Sequence, residues 1–212
     1  MNIGNSYVKN LNEHIRDHFR HNYSEYRYIA IQGGFGIYAD PGADTVEFFK
    51  GQVEKYKPDV LFITARYSNY IKRPVTEDDV ILQEIHENIK FYEKYTKKIY
   101  IFGSFPLFRL NFINHFLTYL VQKPEDLEQL HMSQKLADEE RKFAVERLNM
   151  VKCEKCKIYD LSSTFIENGK YLTFDRNTNL VYVDNSIHIT EPGIKLFEAK
   201  FKEMVDEIME SS

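Results

Sequence analysis

The sequence predicts an α/β fold of three layers, α/β/α, built on a parallel sheet of about five strands. Short apolar runs at 2–4, 28–32, 59–64, 98–103 and 157–161 alternate with segments of helical spacing. Two of the runs, Val60-Leu61-Phe62-Ile63 and Ile99-Tyr100-Ile101-Phe102, are apolar on both faces, as central parallel strands are. Residues able to do chemistry (Ser6, Gly33, Gly34, Arg66, Asn69, Ser104) follow the C-terminal ends of these runs, where open parallel sheets bind ligands.

The chain opens on Met1-Asn2-Ile3-Gly4-Asn5-Ser6, a short strand running into a tight turn. Leu11, Ile15 and Phe19, at i, i+4, i+8, mark a helix behind it from Val8 to Tyr23. Such a turn lifts the Ser6 hydroxyl above the sheet edge, against the free N–H groups and positive dipole end of a helix. Ser6 is therefore placed as a nucleophile, with its own N–H available to a developing oxyanion. Only Asn2 and Ile3 precede the turn. Against the usual parallel strand of about 5 residues, that shortness points to a piece cut from a longer protein. His14, His18 and His21 share the helix. Surface histidines explain them better than a metal site, because lone i, i+4 pairs are weak motifs.

The strand at 28–32 ends in Gln32-Gly33-Gly34-Phe35-Gly36, which lacks the G-x-G-x-x-G pattern of dinucleotide sites. The glycines form either a plain turn or a loop whose backbone N–H groups approach a ligand. In an enzyme built on Ser6, Gly33 or Gly34 is the natural second oxyanion donor. Asp44 to Tyr56 is helical through Val46, Phe49 and Val53, and Pro58 separates it from the 59–64 strand. A long helix is expected from Glu77 to Lys97. Phe108 to Met132 is aromatic-rich and irregular around Pro124, either a lid or substrate wall or a helical excursion over the sheet. A charged helix spans Lys135 to Met150. The loop region from Ser162 to Val183 contains a small hairpin, and Pro192 to Met209 forms the closing helix, capped by Thr190 or Glu191. Cys153-Glu154-Lys155-Cys156 reads as two incidental thiols or a local disulfide and is assigned no chemistry. Without repeats or linkers, 1–212 reads as one domain.

Composition narrows the function classes. Of 212 residues, 43% are hydrophobic and 28% charged, enough for a full core. A formal net charge of −4 gives no electrostatic reason to expect nucleic acid or an anionic membrane. The 15 Tyr and 16 Phe, with no Trp, are mostly core. No apolar run approaches the ~20 residues of a membrane helix; Phe112 to Val121 is too short and contains Asn114 and His115.

Near the other end lies Tyr182-Val183-Asp184-Asn185-Ser186-Ile187-His188-Ile189-Thr190, with an Asp and a His in one short loop. Gly4-Asn5-Ser6-Tyr7 at the start and Asp184…His188 before a last helix together resemble the SGNH/GDSL hydrolase superfamily. The likeness is strongest to SGNH domains attached to membrane acyltransferases that O-acylate sugars, in particular those of nematode type. Pro58-Asp59-Val60, Ala65-Arg66-Tyr67 and Gly193 support it. The resemblance implies Ser6 as nucleophile, His188 as general base and Asp184 as the carboxylate that orients the imidazole. It implies an oxyanion hole from the Ser6 N–H, a glycine at 33 or 34 and the Asn69 amide, with Arg66 and Tyr67 toward the substrate. Asn5 stands where members often have Asp, the Gly-x-Asn-Asp element is absent, and Asp184 precedes His188 by four residues rather than three. Asn185 holds the usual Asp position, so an extra residue must bulge out for Asp184 to face His188.

The expected function is transfer or hydrolysis of an acyl ester through acyl-Ser6, with no metal or organic cofactor. The acyl donor and a hydroxylated acceptor, glycan or lipid, are the partners, with a membrane acyltransferase domain in the parent chain. The competing expectation is a catalytically degenerate SGNH module that binds a glycan or a membrane partner. A flavodoxin-like nucleotide binder is disfavoured by the lack of a phosphate loop. The sequence carries no address of its own; the family implies the extracytoplasmic face of a membrane.

Overall fold

The computed structural model describes residues 1–40 and 44–210, except the side chain of Asn69. Strands and helices alternate as β1 (Asn2–Gly4), α1 (Ser6–His18), β2 (Tyr28–Ala30), α2 (Thr45–Tyr56), β3 (Val60–Thr64), α3 (Val80–Glu93), β4 (Lys98–Phe102) and α4 (Phe112–Gln122). They continue as β5 (Met132–Ser133), α5 (Gln134–Asn149), β6 (Cys156–Tyr159), β7 (Ile166–Glu167), β8 (Lys170–Tyr171), α6 (Glu191–Lys195) and α7 (Glu198–Glu210). The chain divides into two compact units: residues 1–13, 21–105 and 141–160, and residues 14–20, 106–140 and 161–212.

The first unit holds a five-stranded, all-parallel sheet of order β2-β1-β3-β4-β6. The expected α/β class is observed. Strand pleating sends Ile3, Leu61, Ile63, Ile99 and Ile101 to one face, into a cluster with Phe49 and Val53 of α2 and Ile81, Ile85 and Ile89 of α3. The opposite face carries Phe62 and Tyr100, rings 5.7 Å apart, and receives Val8 of α1 beside Gly4. β1 lies in mid-sheet, with β2 on one side and β3 on the other. The order thus reverses between β1 and β3, the kind of switch point beyond whose strand ends open parallel sheets bind ligands.

Gly4 makes this pairing possible. Its φ is +148°, and a Cβ there would lie 2.0 Å from the Thr64 carbonyl oxygen. A second device fixes the segment after β3. Arg147 of α5 is buried, and its Nε donates to Asp79 Oδ1 at 2.9 Å. Its Nη1 donates to the carbonyls of Ile71 (2.8 Å) and Arg73 (2.7 Å). Asp79 in turn caps α3 by accepting the Leu82 N–H at 2.8 Å. These bonds, led by the Arg147 guanidinium, hold the Asp79 carboxyl below its usual range.

The second unit holds a three-stranded sheet of order β5-β8-β7. The hairpin expected within 162–183 is β7–β8, and β5 joins it antiparallel. The expected closing helix is broken. α6 ends in i→i+3 bonds, Leu196 N to Gly193 O and Phe197 N to Ile194 O, and α7 starts at Glu198. Phe197 is buried there against Phe165 and Phe201, so its packing sets the break. The irregular stretch at 108–132 resolves into α4 and a 3-10 helix, Pro124–Leu130. Of the two sequence alternatives for Cys153 and Cys156, the disulfide is the one formed.

Candidate active site

Ser6 is the first residue of α1 and the one exposed side chain in the stretch from Met1 to Val8. Asn5 is the helix cap: its Oδ1 accepts the Tyr7 N–H at 3.2 Å, and its carbonyl accepts the Val8 N–H at 2.9 Å. As the first helical residue, Ser6 has an N–H with no partner inside the helix. That N–H and the hydroxyl sit at the positive end of the dipole.

Asn5 also ties this turn to the segment after β3. Its Nδ2 donates to the Arg66 carbonyl (3.1 Å), and its Oδ1 accepts the Arg66 N–H (3.3 Å). One carboxamide thus brackets the Arg66 peptide at the switch point. This role was missed in sequence, although an Asn directly before a helix start is a readable cap signal. Asn69 opens a 3-10 helix, Asn69–Lys72, in the same segment; the amide expected to complete the oxyanion hole lies outside the described residues. Arg66 is half-buried. Tyr67, expected at the substrate, is instead a core residue. It is fully buried, its ring 6.5 Å from Phe35 and 6.3 Å from Tyr38, and desolvation pushes its phenol far up.

Of the two glycines after β2, Gly34 is buried and donates its N–H to the Ile31 carbonyl at 2.9 Å. Gly33 is exposed with φ +74°, and a Cβ there would meet nothing within 4 Å. The candidate donor of this pair narrows to Gly33.

In the second unit, the Asp184–His188 loop folds on itself. Asp184 Oδ1 accepts the N–H groups of Ser186 (2.6 Å) and His188 (2.9 Å), and the Asp184 N–H donates to the His188 carbonyl (2.9 Å). An antiparallel bridge between Val183 and Ile189 closes the base. The extra residue is absorbed at Ile187, whose φ is +67°. A β-branched residue there is strained by about 1–3 kcal/mol. With Oδ1 holding the backbone, Oδ2 lies 3.6 Å from His188 Nδ1. Asn185 faces elsewhere: its Oδ1 accepts the Asn114 N–H at 3.3 Å and its carbonyl the Asn111 N–H at 2.9 Å. Asp184, despite the four-residue spacing, is therefore the carboxylate facing the imidazole. Behind the loop Thr190 caps α6 through the Gly193 N–H.

α1 ends at His18, short of the expected Tyr23, so His21 lies beyond it, and all three histidines have local partners. His14 Nε2 lies 3.3 Å from Glu191, while His18 Nδ1 is 2.7 Å from the His14 carbonyl and its ring lies edge-on to Phe201. His21 lies near Tyr23. Among the described residues, no group of three His, Cys, Asp or Glu is arranged to hold a metal.

An exposed serine at the first βα turn of a 2-1-3-4 parallel sheet, with an Asp–His loop before the last helices, describes the SGNH/GDSL class of α/β hydrolase-like proteins. Residues 1–203 match the model of the family described as "SGNH domain (fused to AT3 domains)", and the chain belongs to that family. Among solved structures it is similar to the periplasmic domain of a lipopolysaccharide acetyltransferase from Salmonella ser. Paratyphi A. That match has TM-score 0.68 at 14% identity and covers 96% of this chain and 83% of the other. It is also similar to a GDSL-like lipase from Bacteroides thetaiotaomicron, with TM-score 0.50 at 13% identity, covering 98% and 87%. At these identities the likeness is one of fold. No curated protein sequence matches the chain.

Proposed function

We propose that the chain is a serine-dependent acyl-ester enzyme, an O-acyltransferase or esterase acting on a glycan or lipid hydroxyl. The observation that carries this is the approach of Asp184 Oδ2 to His188 Nδ1 at 3.6 Å. Oδ1 alone holds the loop backbone, so the approach of Oδ2 to the imidazole is the feature a general base needs.

In the first half-reaction, Ser6 Oγ attacks the acyl carbonyl carbon while His188 Nε2 takes its proton. Asp184 holds the Nδ1–H and stabilises the imidazolium. The Ser6 and Gly33 N–H groups, with the Asn69 amide, receive the oxyanion. Collapse breaks the ester C–O bond, His188 returns the proton to the leaving oxygen, and acyl-Ser6 remains. In the second half, His188 deprotonates an acceptor hydroxyl or a water, which attacks the acyl carbon and releases Ser6 with its proton restored. Arg66 is assigned to the substrate. No metal or organic cofactor is needed at any step.

The span of the family model, residues 1–203, takes in the first compact unit whole and the second up to residue 203, which supports treating 1–212 as one domain. The family's fusion to AT3 domains supports a parent chain in which a membrane acyltransferase delivers the acyl donor. The Cys153–Cys156 disulfide fits an oxidising, extracytoplasmic compartment. The test is p-nitrophenyl acetate turnover with fluorophosphonate labelling, beside Ser6→Ala and His188→Ala. Loss of about 10³-fold or more in both variants is expected. A wild-type chain that neither turns over nor labels overturns the enzyme reading in favour of a binding module.

A further inference from the structure

One helix of the second unit is apolar on the side that faces solvent. α4 anchors itself through Phe112 and Phe116, both buried, the latter 4.9 Å from Phe174. On the other side Leu110, just before the helix, is 62% exposed, with Leu117 at 51% and Val121 at 80%. Between them lie Asn114 and Thr118, both exposed and bonded locally. Thr118 Oγ1 donates to the Asn114 carbonyl at 2.8 Å, and Asn114 Oδ1 accepts from Asn185 Nδ2 at 3.4 Å. The outer face is therefore uncharged, with Leu110, Leu117 and Val121 as its large apolar groups.

Charge is arranged around this stripe. From Pro106 to Pro124 the chain carries no Asp or Glu, in a sequence with 32 of them. Arg109 and Lys123 bracket the helix, both exposed. Acid returns only with Glu125 and Asp126, in the 3-10 helix that follows α4, where Asp126 accepts from Gln129. An uncharged apolar face flanked by long basic side chains matches a lipid interface. On such a surface the Leu and Val side chains would enter the acyl boundary, and the guanidinium and ammonium would reach the phosphates.

We propose that the outer face of α4, Leu110, Leu117 and Val121 between Arg109 and Lys123, docks on an anionic lipid surface. This goes beyond acyl transfer at Ser6 and does not depend on it. A domain of a family fused to AT3 domains would thereby be held at the bilayer by a contact of its own.

The test is co-sedimentation of the chain with vesicles of phosphatidylcholine alone and of phosphatidylcholine mixed with phosphatidylglycerol. Wild type should partition to the mixed vesicles and more weakly to the neutral ones. Leu117→Glu and Val121→Glu should each lower the partition coefficient roughly tenfold on both. Arg109→Gln with Lys123→Gln should lower it only on the mixed vesicles. All four sites are exposed, so thermal unfolding of the variants should match wild type. Absence of wild-type binding, or binding unaffected by the two Glu variants, overturns the proposal. So does a lipid-free dimer that Leu117→Glu converts to monomer, because a second copy then covers the stripe. Serine labelling, read on the same samples, reports separately on the enzyme reading.

Discussion

At the turn before α1, the Asn5 carboxamide donates to the Arg66 carbonyl and accepts from the N–H groups of Arg66 and Tyr7. An aspartate keeps both acceptor bonds but loses the donor and sets a carboxylate against a carbonyl. Asn5→Asp should therefore destabilise the chain by about 1–3 kcal/mol, and Asn5→Ala by more, in urea unfolding. Gly4 is constrained more tightly still. A methyl 2.0 Å from the Thr64 oxygen cannot be relieved by rotating a side chain. Gly4→Ala should cost about 3 kcal/mol or more, because β1 and β3 must move apart at the switch point. Asp184→Asn leaves the loop's acceptor bonds available but removes the charge facing His188. It should lower turnover about 10²–10⁴-fold with little change in unfolding midpoint.

At the scale of elements, α5 controls the segment after β3 through one residue. Arg147 spends its guanidinium on Asp79, Ile71, Arg73 and Pro74, all in the first unit. Arg147→Met leaves a buried carboxylate without its partner and should cost about 3–5 kcal/mol. The double variant with Asp79→Leu should cost much less than the two single effects added, a coupling that a double-mutant cycle reads directly. Neither residue stood out in the sequence, because an Arg and an Asp far apart in a charged chain carry no mark of burial. α5 itself was legible, and so were the five sheet strands, each within a residue or two of its expected bounds. Those elements repeat a pattern that local physics imposes. The break between α6 and α7 was not legible, since Phe197 fits a helical period equally well.

For the whole molecule, two groups in different units give stability the same dependence on pH. Asp79 is held below its usual range, so its contribution is present above the unfolded value and disappears as pH falls. His131 is buried against Phe174, with its Nδ1 taking the Thr173 N–H at 3.1 Å. Burial lowers its pKa to about 4. The unfolded chain binds that proton near pH 6.5 and the folded chain does not. Stability should then fall as pH drops from about 6.5 toward 4, opposite in sign to a histidine stabilised as a cation. Urea midpoints between pH 7 and 4 check this, and His131→Phe should flatten the slope over that window.

The sequence by itself determined the alternation of strands and helices, the turn at Ser6 and the presence of an Asp and a His in one short loop. Each is written in neighbouring residues, as period, turn chemistry or motif. Tertiary structure decided that Asp184 and not Asn185 faces the imidazole, because that depends on Ile187 adopting a left-handed backbone and on Asn185 being drawn to α4. It moved Tyr67 into the core and gave Asn5 its second task. Burial and bonds between distant residues are properties of the folded chain, and no local spacing encodes them.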